Sequence, residues 1–171
     1  SYGGPSLGFM CATKSLMRKI PGRIVGATTD ALGQRAFVLT LQAREQHIRR
    51  EKATSNICSN QSLMALFVTV YMSLLGPKVL YEVNSQSSNK AHAIFDMLTA
   101  TGRMKLKYPT RTFLNEMTME CDFDVDSYLY RCNENGILGC IKIDDTTLLL
   151  CATETVDKAD IDKLVEIVNS L

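Results

Sequence analysis

The sequence has little proline and few charges for its size. Only 4 of 171 residues are proline, and charged residues make up 22% against 46% apolar residues. These proportions exclude an intrinsically disordered chain, a collagen and a highly charged nucleic-acid tail. The chain is long enough to bury a hydrophobic core, and its length fits one domain or parts of two.

Paired cysteine motifs are absent, and histidine is scarce. The two histidines, His47 and His92, lie far apart, and no two cysteines have the C-x-x-C spacing of zinc or redox sites. We therefore predict no metal site. Cysteine packs as a small hydrophobe, so we expect reduced, mostly buried thiols in a cytoplasmic protein. The six cysteines are Cys11, Cys58, Cys121, Cys132, Cys140 and Cys151.

The sequence is expected to carry neither a targeting segment nor a membrane-spanning one. No basic and then apolar segment opens it, so we expect no signal peptide. The first residues, Ser1 to Pro5, are typical of the middle of a loop and suggest a piece of a larger fold. The longest apolar run, Leu63–Leu75, is too short to span a bilayer. We expect it to be buried in a larger protein or an interface, and to drive self-association where this chain alone leaves it exposed.

Charge is unevenly distributed along the chain. Residues 14–52 carry nine Lys/Arg and three Asp/Glu (+6), residues 53–109 carry five and two (+3), and residues 110–171 carry five and thirteen (−8). A basic front and an acidic rear indicate two parts with different surroundings.

Hydrophobic periodicity and turn residues predict the secondary structure of the first half. In chain order it comprises a buried strand over 7–12, a short helix over 14–20, and a strand or loop over 23–28 that would form a hairpin with a strand over 36–40. A helix over 56–75 follows, capped by Ser59 or Asn60, and a second helix over 77–98 comes after the break at Gly76.

The second half reads as a complete β-β-α-β-β-α unit. Strands are expected at 104–108, 114–121, 137–143 and 147–152, and helices at 124–135 and 157–170. The final helix has one apolar stripe and a charged opposite face. We expect a mostly antiparallel sheet with helices on one face, which can bury a core by itself.

Three stretches together resemble the glycine cleavage system P-protein family, best its alpha subunit (subunit 1) in the two-subunit bacterial form. They are YGGP followed by GF near residues 2–9, KIPGRIVG at 19–26, and LQAREQHIRREKATSNIC at 41–58. The resemblance covers the whole chain, which corresponds to roughly the last two-fifths of that subunit. It implies the C-terminal part of a fold type I, aminotransferase-like α/β architecture. Residues 1–76 would belong to the large domain, including an interface helix, and residues 77–171 would form the linking helix and a small α+β domain.

The resemblance also implies an activity and partners. The family decarboxylates glycine with pyridoxal phosphate and passes the aminomethyl group to the lipoyl group of the H-protein. It implies that the cofactor is linked to a lysine of the beta subunit (subunit 2), in an α2β2 assembly without membrane or nucleic acid. No cofactor is expected to be covalently linked to this chain, so Lys14, Lys19, Lys52 and Lys78 are not assigned as the catalytic lysine. Lys14 and Lys78 are expected to be exposed.

Candidate site residues cluster in the third stretch. By resemblance to related dimers, the segment before the interface helix reaches the partner's cofactor. We therefore assign Thr54, Ser55, Asn56, Arg49, Arg50 and Lys52 to the phosphate of a partner-subunit cofactor, since hydroxyls, cations and helix starts favour anions. Capping of the helix by Ser55 and Asn56 is the alternative.

His47 is a candidate acid/base group, or else a residue that holds the arginine-rich segment by hydrogen bonds. Arg23 and Arg44 are candidates for carboxylate binding or interface ion pairs. Gly3 and Gly4 either bring backbone close to a phosphate or form a plain turn, and His92 is expected to be structural.

Three other functions stay open at this point. The basic run could bind nucleic acid, although residues 41–66 contain no Phe, Tyr or Trp for base stacking. The chain could be a non-catalytic structural subunit, or part of another fold type I enzyme using pyridoxal phosphate.

Overall fold

A computed structural model describes residues 2, 4–20, 22–41, 45–53 and 60–171 of the chain. The chain divides into two compact units, Leu7–Leu66 on the one hand and Ser1–Ser6 with Phe67–Leu171 on the other. The division into domains at residue 76 stays a prediction.

The unit Leu7–Leu66 is built around one antiparallel hairpin. Strand β1 (Ile24–Thr29) pairs with β2 (Arg35–Thr40) in a register that places Ile24 opposite Thr40. The turn is held by Asp30, whose Oδ1 accepts backbone N–H bonds from Leu32 (2.8 Å) and Gln34 (2.9 Å). Gly33 in this turn has φ +77°, a conformation that glycine adopts without strain. The predicted hairpin is thus confirmed.

Two local predictions in this unit are wrong. Residues 7–12 form no strand, and Phe9 and Met10 are 84% and 64% exposed. An apolar run becomes a strand only where a neighbouring strand satisfies its backbone groups, and the described residues supply none here. The helix expected over 14–20 is only a 3-10 turn at Lys14–Leu16. Lys14 and Lys78 are exposed, as expected.

Next come a short helix α1 (Gln46–Arg49), a 3-10 turn (Arg50–Lys52) and the long helix α2 (Ser62–Ala100). The side chain of Asn60 accepts a 2.9 Å hydrogen bond from the Ser62 N–H where α2 begins. Gly76 interrupts α2 with non-helical angles (φ 70°, ψ 171°), and Pro77 opens its second segment. Gly102, with φ 74°, follows its end. The predicted break and stop are confirmed.

The first segment of α2 presents apolar side chains to its surroundings in this chain. Leu63 is 77% exposed and Leu74 is 80% exposed. Counted across its break at Gly76, α2 could by length and composition alone cross a membrane: one 18-residue window has a mean hydropathy of 1.7, with none of it buried. Length and composition do not separate a membrane span from a core or interface helix of a larger soluble protein.

The second half has the predicted β-β-α-β-β-α order. Its elements are β3 (Met104–Leu106), β4 (Glu116–Cys121), α3 (Val125–Glu134), β5 (Ile141–Asp144), β6 (Thr147–Cys151) and α4 (Lys158–Asn169). The four strands form one antiparallel sheet in the order β3-β4-β6-β5. Strand β5 is shorter than predicted, because residues 137–140 form a loop that packs on α3.

The core lies between this sheet and the helices. Alternate strand residues are buried, so that Met117 lies opposite Leu150 and Met119 opposite Leu148. Three helices cover them with buried residues at helical spacing. These are Ala91, Ile94 and Leu98 on α2, Val125, Tyr128 and Cys132 on α3, and Ile161, Leu164, Ile167 and Val168 on α4.

Side-chain caps fix where both short helices begin. Asp124 accepts from the Ser127 N–H at the start of α3 (2.9 Å). Asp157 and Asp160 form a reciprocal capping box at the start of α4. Such caps satisfy backbone donors that have no partner inside the helix, so helix starts in this half are encoded locally.

Candidate functional site

The basic segment, defined here as residues 45–53, carries the described site candidates. It forms two consecutive tight turns, α1 and the 3-10 turn that follows it. The carbonyl of Glu45 accepts backbone N–H bonds from Ile48 (3.1 Å) and Arg49 (2.8 Å), and the Arg50 carbonyl accepts one from Ala53 (3.2 Å). Backbone bonds therefore hold the segment without any buried side chain.

The junction between the two turns has an unusual backbone. Arg50 has φ 53° and ψ −124°, whereas the preceding Arg49 is in the ordinary helical region (φ −87°, ψ −11°). A positive φ is rare for a residue with a Cβ and costs free energy. The only other described non-glycine residue with positive φ is Leu41, at 56°.

The cationic side chains of the basic segment are open to solvent. His47, Arg49, Arg50 and Lys52 are all exposed. None of these four side chains lies in an ion pair with another described residue. The acidic side chain of Glu45 does form one, because its Oε2 is 3.9 Å from Arg23 Nε. At that distance and exposure the pair contributes little to stability. The arrangement leaves three permanent positive charges available to an anion.

Several predicted site residues lie outside the described residues. These are Thr54, Ser55 and Asn56 at the end of the third stretch, together with Arg44 and Gly3. Their assignment stays a prediction. Gly4 is described, with φ 102°, and a Cβ built on it would lie 3.7 Å from the Tyr71 ring. That contact is ordinary packing, which favours the plain-turn interpretation of this glycine.

The two histidines have different surroundings. His47 has no hydrogen-bond partner within the described part of the chain and is exposed, so its acid/base role stays a prediction. His92 stacks on Phe113 with ring centroids 4.3 Å apart, and its Nε2 is 3.3 Å from the Phe113 carbonyl oxygen. These contacts fit the structural role expected of His92.

The thiols of the second half are poor nucleophiles. Burial raises the pKa of Cys121 and Cys132, and it raises that of Cys140 to about 12. These groups stay protonated at neutral pH and pack as apolar side chains. Cys11 and Cys151 are exposed, so only part of the expectation of buried thiols is confirmed. Across the described ranges, no group of three or more His, Cys, Asp or Glu could hold a metal ion.

Lys142 is held between two carboxylates. Its Nζ lies 2.6 Å from Asp126 Oδ2 and 2.8 Å from Asp145 Oδ1. Hydrogen bonds to these two carboxylates raise its pKa above the ordinary lysine value. A lysine held in its charged form is unsuited to act as a nucleophilic amine.

One cavity was not anticipated from the sequence. A cleft of about 200 Å³ opens among α2, β6, α4 and the loop before β5, and Ile137, Leu150 and Val156 line it. It is smaller than the roughly 300–1,000 Å³ typical of small-molecule sites. Its lining is mostly core-type aliphatic residues, which no sequence motif distinguishes from ordinary packing.

Comparison with known proteins gives consistent matches over nearly the whole chain. The family model described as "Glycine cleavage system P-protein" matches residues 1–168. A Nitrosomonas europaea protein named "Probable glycine dehydrogenase (decarboxylating) subunit 1" is 44% identical over 173 residues, 98% of this chain and 38% of its own length. A Carboxydothermus hydrogenoformans protein of the same name is 62% identical over 102 residues, 60% of this chain and 23% of its own length.

Solved structures give the same match. The inhibitor-bound crystal structure of glycine decarboxylase (P-protein) of the glycine cleavage system superposes with a TM-score of 0.80 and 35% identity, over 92% of this chain and 37% of that one. A NifS-like protein from Rickettsia africae has a TM-score of 0.52 at 12% identity, covering 71% of this chain and 37% of its own, and so shows the fold alone. These likenesses confirm the predicted fold type I class. This chain spans less than two-fifths of the length of the first relative.

Proposed function

We propose, because this chain belongs to the glycine cleavage system P-protein family, that the subunit containing it acts in glycine decarboxylation as part of a glycine-degrading oxidoreductase. The observation that carries the proposal is the family match over residues 1–168, together with a TM-score of 0.80 to a P-protein structure. The name of the Nitrosomonas europaea relative, subunit 1 of a decarboxylating glycine dehydrogenase, suggests that this chain too works beside a second subunit.

The basic segment is suited to holding the phosphate of a cofactor. Arg49, Arg50 and Lys52 are exposed and, among the described residues, free of ion pairs. Guanidinium and ammonium groups are the side chains that bind phosphate most strongly. Pyridoxal phosphate, when bound, would accept the electrons released as glycine loses its carboxyl group. This chain would anchor and neutralise its phosphate, with hydroxyl donors from Thr54 and Ser55.

The lysine that carries the cofactor is proposed to lie on the partner, the beta subunit (subunit 2). This proposal follows the family resemblance, and the four lysines singled out from the sequence, Lys14, Lys19, Lys52 and Lys78, are all exposed, while Lys142 pairs with two carboxylates. A cofactor-bearing lysine needs a sheltered, desolvated setting. We further propose an α2β2 assembly in the cytoplasm, away from membranes and nucleic acid, that passes the aminomethyl group to the lipoyl group of the H-protein.

The apolar first segment of α2 supports an assembly rather than a lone chain. Leu63, Leu66 and Phe67 are 77%, 62% and 49% exposed in this chain. Such a surface is typical of one that another part of a larger protein covers. Burial in the complete assembly accounts for the membrane-like hydropathy of this helix without a bilayer.

The test is an exchange assay with the full-length subunit and its partner. Labelled bicarbonate is supplied with glycine, pyridoxal phosphate and lipoylated H-protein, and incorporation of label into the carboxyl group of glycine is measured. We expect exchange only when both subunits are present. A pair of purified subunits that associates but gives no exchange would contradict the proposed function.

A variant pair then tests the cofactor role within that assembly. Thr54→Val removes a hydroxyl and is expected to raise the Kd of pyridoxal phosphate about tenfold, the scale of a hydrogen bond to a charged group. Thr110→Val, at an exposed position of the small domain, is the matched control. If Thr54→Val binds cofactor as the control does while exchange persists, the chain is a structural partner rather than a contributor to the site.

A further inference from the structure

The backbone of Arg50 is held in its unusual conformation from both sides. Its N–H donates to the Gln46 carbonyl, and its carbonyl accepts from the Ala53 N–H at 3.2 Å. With φ 53° and ψ −124°, this position is one that glycine occupies freely and arginine does not. The strain is therefore built into the junction of two hydrogen-bonded turns.

Nothing within the described fold compensates for this strain. The Arg50 side chain is exposed and makes no ion pair or ring contact with the described residues. Within the described residues, no packing or pairing of the Arg50 side chain accounts for this cost in folding free energy. The chemical group that arginine offers and glycine lacks is the guanidinium.

The charge around Arg50 indicates what the guanidinium binds. Residues 49–52 carry three positive charges and one negative charge, Glu51, which leaves a net charge of +2. A phosphate monoester carries about −1.5 to −2 at neutral pH and offers a guanidinium two parallel hydrogen bonds. A single carboxylate would leave one positive charge without compensation.

We infer that Arg50 is the phosphate-specifying residue of this segment, kept at a strained position for its guanidinium at the expense of the stability of the unliganded fold. The inference rests on the proposed function, because it takes the phosphate to be that of the cofactor. It adds a trade-off with opposite signs: removing the strain should stabilise the free subunit and weaken phosphate binding.

The experiment compares glycine and alanine at two adjacent arginines in the full-length subunit. Arg50→Gly removes both the guanidinium and the strain, whereas Arg50→Ala removes the guanidinium and keeps the strain. Arg49 is helical, so at this control position glycine costs stability relative to alanine. We expect the glycine variant to melt about 1–3 °C above the alanine variant at position 50, and below it at position 49.

Binding is measured in the assembled complex with pyridoxal phosphate and, separately, with pyridoxal, which lacks the phosphate. Both Arg50 variants should weaken binding of pyridoxal phosphate about tenfold or more and leave that of pyridoxal within about twofold. Equal loss for the two probes would overturn the phosphate assignment. If the glycine variant melts above the alanine variant at both position 50 and position 49, or below it at both, the strain argument is overturned.

These outcomes are separable from failure of the proposed function. If the complexes exchange bicarbonate but substitution of Arg50 leaves their affinity for pyridoxal phosphate unchanged, only the inference is overturned. Complexes that bind pyridoxal phosphate through Arg50 but never exchange bicarbonate would overturn the decarboxylation and support the inference.

Discussion

The front and rear of this chain differ in where their apolar side chains lie. Every buried residue among those described falls between Ser87 and Val168, and no described residue before Ser87 is buried. The front is not polar: Phe37 and Leu63 are 63% and 77% exposed. The rear encloses its own hydrophobic core, whereas the front presents surfaces suited to covering by something else.

The difference shows why one region is self-contained and the other is not. A four-stranded sheet with three helices against it satisfies its backbone groups and buries its apolar stripes internally. Among the described residues, the hairpin of the front pairs with no further strand, and a two-stranded hairpin is marginal in water by itself. The candidate site residues lie in the front, the region whose composition alone does not predict a stable fold.

The largest expected effect comes from a matched pair of leucine truncations in the 171-residue chain. Leu148→Ala empties a fully buried position and is expected to lower the free energy of unfolding by about 2–5 kcal/mol. Leu63→Ala, at a position that is 77% exposed, should change it by less than about 0.5 kcal/mol. Urea unfolding followed by circular dichroism measures both.

The same pair in the assembled protein sharpens the comparison. If other parts of the assembly cover the first segment of α2, the cost of Leu63→Ala rises towards that of Leu148→Ala. A large cost for Leu63→Ala in the chain alone would instead mean that the chain already covers this helix, by its own front or by self-association.

The rear could be predicted from the sequence because its signals are local and complete. The alternation in β4, the capping aspartates and the apolar stripe of α4 each lie within one element. All of these elements pack against one another, so every local signal is satisfied within the chain. The predicted β-β-α-β-β-α order is confirmed for that reason.

The front could not be predicted equally well, since its signals depend on distant partners. The apolar run at residues 7–12 has the composition of a buried strand, but a strand also needs neighbours to bond to. The motif around Arg49 and Arg50 indicated the family and a basic site. It gave no sign that Arg50 has a positive φ, because no composition rule places arginine in that conformation.

An intermediate effect distinguishes the turns of the two hairpins. Asp30 Oδ1 accepts from Leu32 N–H and Gln34 N–H in the front, and Asp144 Oδ1 accepts from Thr146 N–H in the rear. We expect Asp30→Ala to speed amide hydrogen exchange about fivefold within β1 and β2 only. Asp144→Ala should shift the unfolding midpoint of the whole second half, because its sheet shares one core. If Asp30→Ala also speeds amide hydrogen exchange in the second half, the front unfolds as one unit with the rear.

The smallest effect is a pH dependence confined to the rear. Hydrogen bonds from the Ser127 N–H and hydroxyl lower the pKa of Asp124 below its ordinary value of 3.8. A carboxyl group whose pKa is lower in the folded state stabilises the fold fully above about pH 4, and this contribution is lost as the pH falls through the folded-state pKa. Asp124→Asn keeps a side-chain oxygen for the cap but cannot titrate. We expect the variant to lose less stability than the wild type between pH 5 and pH 2, as measured by urea midpoints, with hydrogen exchange in β1 and β2 unaffected by the substitution at either pH. Identical acid profiles for variant and wild type would mean that the charge of Asp124 contributes nothing to helix α3, and that the cap acts through the geometry of its hydrogen bond alone.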